Sequence, residues 1–214
     1  MSSDNPSFTP LPRICWISSG KETDGNGQRL SQLLRELPAN RAAMVIIREK
    51  QLTARSLFTL AERAAVENLP DGSRLLLSER ADIAAVAELH GVHLPEHACP
   101  ANRLKNALPN MLYGKSVHSL QSALSAEKEG AHYLFFSPIF PSLSKPGYGP
   151  LQGTAKLREV CRASSIPVFA LGGITPENTM QCIECGAWGV ASLGLFSDTE
   201  NFKVTAETID QLLP

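Results

Sequence analysis

A dominant charge sign is missing from this chain: among 214 residues, 20 Lys and Arg stand against 21 Asp and Glu, a net charge of -1. That balance leaves no long-range field to gather nucleic acid or an anionic membrane, so any anion site has to be built locally. Long apolar runs are missing as well. No stretch approaches the roughly 20 residues that span a bilayer, and the start, MSSDNPSFTPLPR, has neither the basic residues nor the apolar middle of a secretion signal. A cytoplasmic protein is the expectation. Cysteine is scarce and odd in number: the five are Cys15, Cys99, Cys161, Cys182 and Cys185, which suits reduced thiols rather than a disulfide framework. Cys182 and Cys185 have C-x-x-C spacing, but zinc needs about four ligands and there is no second such pair, so packed thiols and no metal are expected. The first strand is not followed by G-x-G-x-x-G either. Its successor, ISSGKETDGNGQ, has only loosely spaced glycines, which argues against an open dinucleotide-binding sheet.

What is present is a globular composition, 43% apolar and 19% charged, of a length that suits one core and one domain. Short β-branched or aromatic runs alternate with segments of helical period. Strand candidates begin near Ile14, Met44, Arg74, Val92, Leu112, Tyr133, Pro167 and Gly189. Between them, TARSLFTLAERAAVENL sets Leu57, Leu60 and Ala64 on one face and Arg55, Glu62 and Arg63 on the other. ADIAAVAELHG and SLQSALSAEKEG end on Gly91 and Gly130, candidate left-handed stops. TPENTMQCIECG opens with Thr175 as N-cap and Pro176 at the first helical position, and stops at Gly186. Eight such strand–helix pairs predict a parallel sheet closed into a (β/α)8 TIM barrel over residues 13–214. Residues 1–12, interrupted by Pro6, Pro10 and Pro12, are expected to be a loose tail.

In such a barrel the chemistry sits at the C-terminal ends of the strands. That rule selects Arg48 and Lys50, Ser78 and Glu79, His93 and His97, Ser116 and His118, Lys145, Gly172 and Gly173, and Ser192 and Gly194. LGGIT lets backbone approach a ligand with no Cβ in the way, and ASLG offers a hydroxyl and amides where a short helix could start; a phosphate fits both. The competing reading is that the glycines only turn the chain and Ser192 caps. Lys145, on the Pro- and Gly-hinged loop SPIFPSLSKPGYGP, can close over that phosphate or stay a solvated lysine. His118 can move protons near neutrality, with Ser116 on the same side of an extended segment to orient it, or it only begins a helix beside Ser119. His93, between Val92 and Leu94, either points into the barrel or is a hydrogen-bonded core histidine, the second being favoured.

The segments IIREK, GVHL, KSVHS, FFSPIFPSLSK, IPVFALGGITPEN and GAWGVASLGLF resemble, in order and spacing, the thiamin phosphate synthase and TenI superfamily of (β/α)8 barrels, from about Met44 to Phe196. The resemblance implies a small phosphorylated thiazole ligand held by Lys145, Gly172, Gly173 and Ser192, with Ser144 adding its hydroxyl, and Arg48 and Lys50 matching family positions. Two activities live in that superfamily. The synthase joins a pyrimidine pyrophosphate to thiazole phosphate with Mg²⁺, which calls for carboxylate oxygens. Here Ile46 stands for the synthase's pyrimidine-facing amide, Ser78 and Glu79 for its Asn-Asp, and Ala98 for its second metal-binding aspartate. TenI-like tautomerases move a proton on a carboxythiazole phosphate without metal, and His118 matches their histidine. The expectation is therefore a tautomerase with no cofactor, with Mg²⁺ only if the chain is a synthase; a non-catalytic binder of thiazole or thiamin phosphates is the third reading. No nucleic acid and no membrane partner is expected, and a homo-oligomer is left open.

Overall fold

The computed structural model describes residues 10–20, 27–141, 150–195 and 201–213. The elements run β1 (Ile14–Ile17), α1 (Gln28–Arg35), β2 (Met44–Ile47), α2 (Ala54–Ala65), β3 (Arg74–Ser78), α3 (Ala81–Val86), β4 (Gly91–Leu94) and α4 (Ala101–Lys105). The second half continues with β5 (Leu112–Val117), α5 (Leu120–Lys128), β6 (Tyr133–Phe136), α6 (Gly153–Ala163), β7 (Val168–Leu171), α7 (Pro176–Glu184), β8 (Gly189–Ser192) and α8 (Phe202–Leu212). The eight strands close in chain order, every neighbour parallel, from Cys15 opposite Met44 round to Ile14 opposite Val190. This is the predicted (β/α)8 barrel.

Alternation along each strand separates two apolar layers. Cys15, Ile17, Met44, Ile46, Leu76, Leu112, Tyr133, Phe135, Phe169 and Ala191 fill the barrel interior, while Trp16, Val45, Ile47, Leu75, Leu77, Val92 and Leu134 pack outward against the helices. Strands buried on both faces read as unbroken apolar runs, which is why MVII, RLLLS and YLFF were legible as strands. No helix among the described residues is long and apolar enough to cross a membrane.

Two local expectations need correction. Residues 11 and 12 do not belong to a tail: Leu11 is buried in the interior cluster and its carbonyl accepts from the Trp188 indole N–H at 2.9 Å, while the Arg13 guanidinium lies 4.5 Å over the same indole. A proline-interrupted segment can still plug the barrel floor, because it needs only backbone acceptors and one apolar side chain. Gly91 does not stop α3. The left-handed residue there is Glu88, with φ 55°. Gly91 instead starts β4, where a Cβ would overlap the Leu112 backbone of β5. By contrast Gly130 and Gly186 adopt φ 93° and 95° at the expected helix ends, and Asn178 Oδ1 accepts from the Thr175 amide at 2.8 Å where α7 begins.

Candidate active site

The C-terminal mouth brings together the ends of β4, β5 and β6. On β4, His93 points into the barrel, buried, with its ring stacked on Phe135 at 4.1 Å between centroids. Its Nδ1 lies 3.1 Å from the Tyr133 hydroxyl and its Nε2 2.9 Å from Ser116 Oγ. Burial, helped by the positive charge of Lys115, drops its pKa to about 3, so the ring is neutral. Here the structure corrects the sequence reading: Ser116 bonds to His93, and His118 is oriented by other groups. The cause is geometric. Gly114 sits between His93 and Tyr133 in one row across β4, β5 and β6, and the imidazole crosses that gap directly below Ser116. Along β5 itself, residues two apart are separated by about 6.6 Å, too far for a hydroxyl to reach the next inward side chain unaided.

His118 is half-buried at the end of β5. Its Nδ1 lies 2.7 Å from the Ser137 carbonyl oxygen. A carbonyl can only accept, so Nδ1 carries the hydrogen and Nε2 of the neutral ring carries the lone pair. The His118 amide donates to Glu96 Oε1 and to Ser122 Oγ, both at 3.2 Å, just ahead of α5, whose N-cap Ser119 accepts from the Ser122 amide at 3.0 Å. The imidazole is thus held from β6 and the His118 backbone from Glu96 and the α5 start, with a basic nitrogen fixed by tautomer.

Around β2 and β3 the charges are already matched. Lys50 Nζ lies 2.6 Å from Glu79 Oε1, both side chains exposed. Glu79 holds φ 68°, a left-handed conformation at the end of β3. Arg48 follows the inward parity of Met44 and Ile46, and its amide donates to Ser18 Oγ at 2.7 Å; that hydroxyl in turn donates to buried Glu49 at 2.5 Å. Gln51 adds a second donor to Glu49 at 3.0 Å. Sequence reasoning passed over Glu49 because a carboxylate between two cations reads as a solvated charge run; burial of its neighbour Ser18, far away in the chain, gave no local signal. Lys115 was missed for a similar reason. Its Nζ, buried on the outer face of β5, donates to the carbonyls of Ala98 and Cys99 at 2.8 and 3.4 Å.

At the β7 and β8 ends, Gly172 and Gly173 have φ 98° and 64°, and a Cβ on either would press into the chain at Pro138 or at Phe140 and Pro141. The Phe140 amide donates to Gly172 O at 3.0 Å and Asn178 Nδ2 to Gly173 O at 2.9 Å. The glycines therefore let the β6 and β7 loops meet at the mouth, as well as leaving it open to a ligand. Ser192 Oγ accepts from the Leu195 amide at 3.0 Å, a local turn cap, and exposed Gly194 lies within that turn. Lys145 and Ser144 fall outside the described residues.

The donor set does not fit a two-carboxylate magnesium cradle. Glu79 is paired with Lys50, Glu96 accepts from the His118 amide, Ala98 has no side-chain donor and its carbonyl accepts from Lys115, and among the described residues no three His, Cys, Asp or Glu side chains converge. Cys182 and Cys185 are buried free thiols, and burial raises Cys182 to about 12.

A family model described as thiamine monophosphate synthase, TMP-TENI, matches residues 14–195. An Aquifex aeolicus protein provisionally named thiamine-phosphate synthase 2 is 40% identical over 186 residues, covering 87% of this chain and 98% of that protein. The thiamine-phosphate synthase of Methanoculleus marisnigri is 36% identical over 171 residues, 79% of this chain and 81% of its own. Among solved structures, thiamine phosphate pyrophosphorylase from Pyrococcus furiosus superposes with a TM-score of 0.79 at 25% identity, covering 94% of each chain.

Proposed function

The chain belongs to the thiamine monophosphate synthase and TenI family, and from that premise we propose that it is a cytoplasmic enzyme of thiamin biosynthesis that tautomerises a carboxythiazole phosphate without a metal. The single observation that carries this reading is the wiring of the mouth: a histidine with its lone pair fixed on Nε2 stands at one end, while the acidic groups that a magnesium pyrophosphate would need are engaged elsewhere. His118 Nε2 removes a proton from the ring and returns it to the exocyclic carbon, which moves the double bond into the ring and leaves no net change in atoms or charge. Ser137 O keeps Nδ1 protonated throughout, so the same nitrogen serves as base and then acid. The β7 and β8 turns at Gly172, Gly173, Ser192 and Gly194 hold the phosphate, and Lys145 and Ser144 are the cation and hydroxyl that the family resemblance adds to it.

The names of the relatives favour a second reading, a Mg²⁺-dependent synthase that joins a pyrimidine pyrophosphate to thiazole phosphate. Glu79 is then the carboxylate that would leave Lys50 for the metal. One assay separates the two. Purified protein in EDTA should convert the exocyclic-alkene isomer to the aromatic carboxythiazole phosphate. With pyrimidine pyrophosphate, thiazole phosphate and Mg²⁺ it should form no thiamin phosphate. Robust thiamin phosphate formation would reverse the choice. His118→Asn should lower isomerisation by about 10²- to 10⁴-fold, the usual contribution of a general base, and leave phosphate-ligand affinity within about twofold; undiminished turnover removes His118 from the reaction.

A further inference from the structure

We propose that Tyr133, acting through His93, fixes the Ser116 hydroxyl as a hydrogen-bond donor to the ligand, and that its acceptor is the ring carboxylate of a carboxythiazole phosphate. The identity of the acceptor rests on the functional reading above; the wiring does not.

The Tyr133 phenol is fully buried among Cys15, Phe135 and Phe169, and among the described residues its one hydrogen-bond partner is His93 Nδ1. Burial holds that phenol protonated, its pKa well above the ordinary value. A buried O–H without an acceptor is costly. Two arrangements are open to the row. If His93 carried its hydrogen on Nδ1, that N–H would donate to the phenol oxygen and strand the phenol's own hydrogen in an aromatic environment. If the phenol donates to Nδ1, every hydrogen finds an acceptor. The second arrangement leaves His93 Nε2 protonated, and Nε2–H then donates to Ser116 Oγ at 2.9 Å. Ser116 has accepted, so its own hydrogen is directed elsewhere. The residue is only half-buried, unlike the two behind it, and faces the mouth one inward position above Gly114 and one below His118.

Three residues make this possible together. His93, Gly114 and Tyr133 are Cα partners across β4, β5 and β6. A Cβ at Gly114 would overlap the Tyr133 ring and hydroxyl, so the missing side chain on β5 is the opening through which β4 and β6 meet. His93 stays uncharged with its pKa lowered to about 3, so near neutral pH it cannot donate from both nitrogens and the tautomer alone sets the direction of the relay. A donor fixed in this way suits an anion whose charge grows during reaction: as the ring loses a proton, charge spreads onto the conjugated carboxylate, and a preset hydroxyl stabilises it without reorienting. Tyr133 and His93 are positioning residues in this scheme; Ser116 touches the ligand.

Nitrogen-15 NMR of histidine-labelled, ligand-free protein tests the wiring without any turnover. His93 should carry its proton on Nε2 in the wild type, and Tyr133→Phe should bring the two tautomers to comparable populations. A wild-type His93 protonated on Nδ1, or a tautomer unmoved by Tyr133→Phe, overturns the relay. Calorimetry with thiazole phosphate, with and without the ring carboxylate, tests the acceptor. The carboxylated ligand should bind about tenfold more tightly, as a hydrogen bond to a charged group implies. Ser116→Ala should erase that preference and Ser116→Thr should retain it. Equal losses for both ligands, or a preference that survives Ser116→Ala, overturns the assignment of the carboxylate. Should Tyr133→Phe fail to fold, the wild-type tautomer and the Ser116 pair still decide. No isomerisation beside an intact carboxylate preference would sink the tautomerase reading and support the relay; isomerisation with His93 protonated on Nδ1 would sink the relay alone.

Discussion

Gly114 governs the interior of the barrel by what it lacks. Its position on β5 is surrounded by the Tyr133 ring on one side and by His93 on the other, so even one methyl group displaces the phenol. Gly114→Ala should cost about 3 kcal/mol or more, the upper end for overpacking a core, read as a lower urea midpoint, and should scramble the His93 resonance; an unchanged midpoint would mean that the interior is looser than its close contacts imply. His118 works differently. Its proposed contribution is chemical, with Nδ1 turned to Ser137 O and its amide tied to the α5 start. The sequence pointed to both histidines and to Ser116 but paired the wrong two. Spacing along one strand suggested His118 with Ser116, whereas the actual partner, His93, lies 23 residues before Ser116, and the phenol behind it lies 40 residues after His93.

Elements carry the next level of constraint. β5 ties down the connection after β4 through Lys115, whose ammonium is buried and donates to the Ala98 and Cys99 carbonyls. That connection also bears Glu96, the acceptor for the His118 amide. Lys115→Met keeps the aliphatic bulk and removes both donors. It should destabilise the protein by about 2 kcal/mol, a fall of roughly 4–8 °C in melting temperature for a chain of this size. It should also lower isomerisation, because Glu96 loses its anchor; full activity with an unchanged melting point would show that the loop is held by packing alone. At this scale the sequence was informative. Short β-branched or aromatic runs alternating with helical segments gave all eight strands, even the polar-interrupted β5, and Thr175, Pro176, Gly130 and Gly186 marked helix ends correctly, because capping is a local matter. Gly91 misled for the opposite reason: a glycine kept for contact with the next strand looks, in sequence, like one kept for a turn.

At the scale of the whole molecule, closure repeats one device. His90, just before β4, accepts from the Leu75 amide through Nδ1 and returns its own amide to Leu75 O; His132, just before β6, does the same with Tyr113. Both rings must stay neutral at Nδ1 to accept. Burial lowers the His132 pKa to about 4, with Lys105 adding to the effect, and lowers His90 as well, with Arg74 adding to it. Since the native imidazole refuses a proton that the unfolded chain takes near 6.5, stability is fully present above that value. It is then lost as pH falls from about 6.5 toward about 4 for His132, and toward about 3 for His93. The urea midpoint should therefore drop between pH 7 and pH 5, and His132→Gln should flatten that slope; a midpoint rising on acidification would contradict the sign.

What the sequence determined by itself was the eightfold strand–helix order and the list of groups at the strand ends, because periodicity and capping are short-range properties of the chain. Only the tertiary structure decided which of those groups act together. Ser116 joined His93 and Tyr133, Lys50 joined Glu79, and residues 11 and 12 joined the barrel floor. Closing a sheet places side chains from different strands within a hydrogen bond of one another, and that adjacency depends on register and on one absent side chain, neither of which is written into any local stretch.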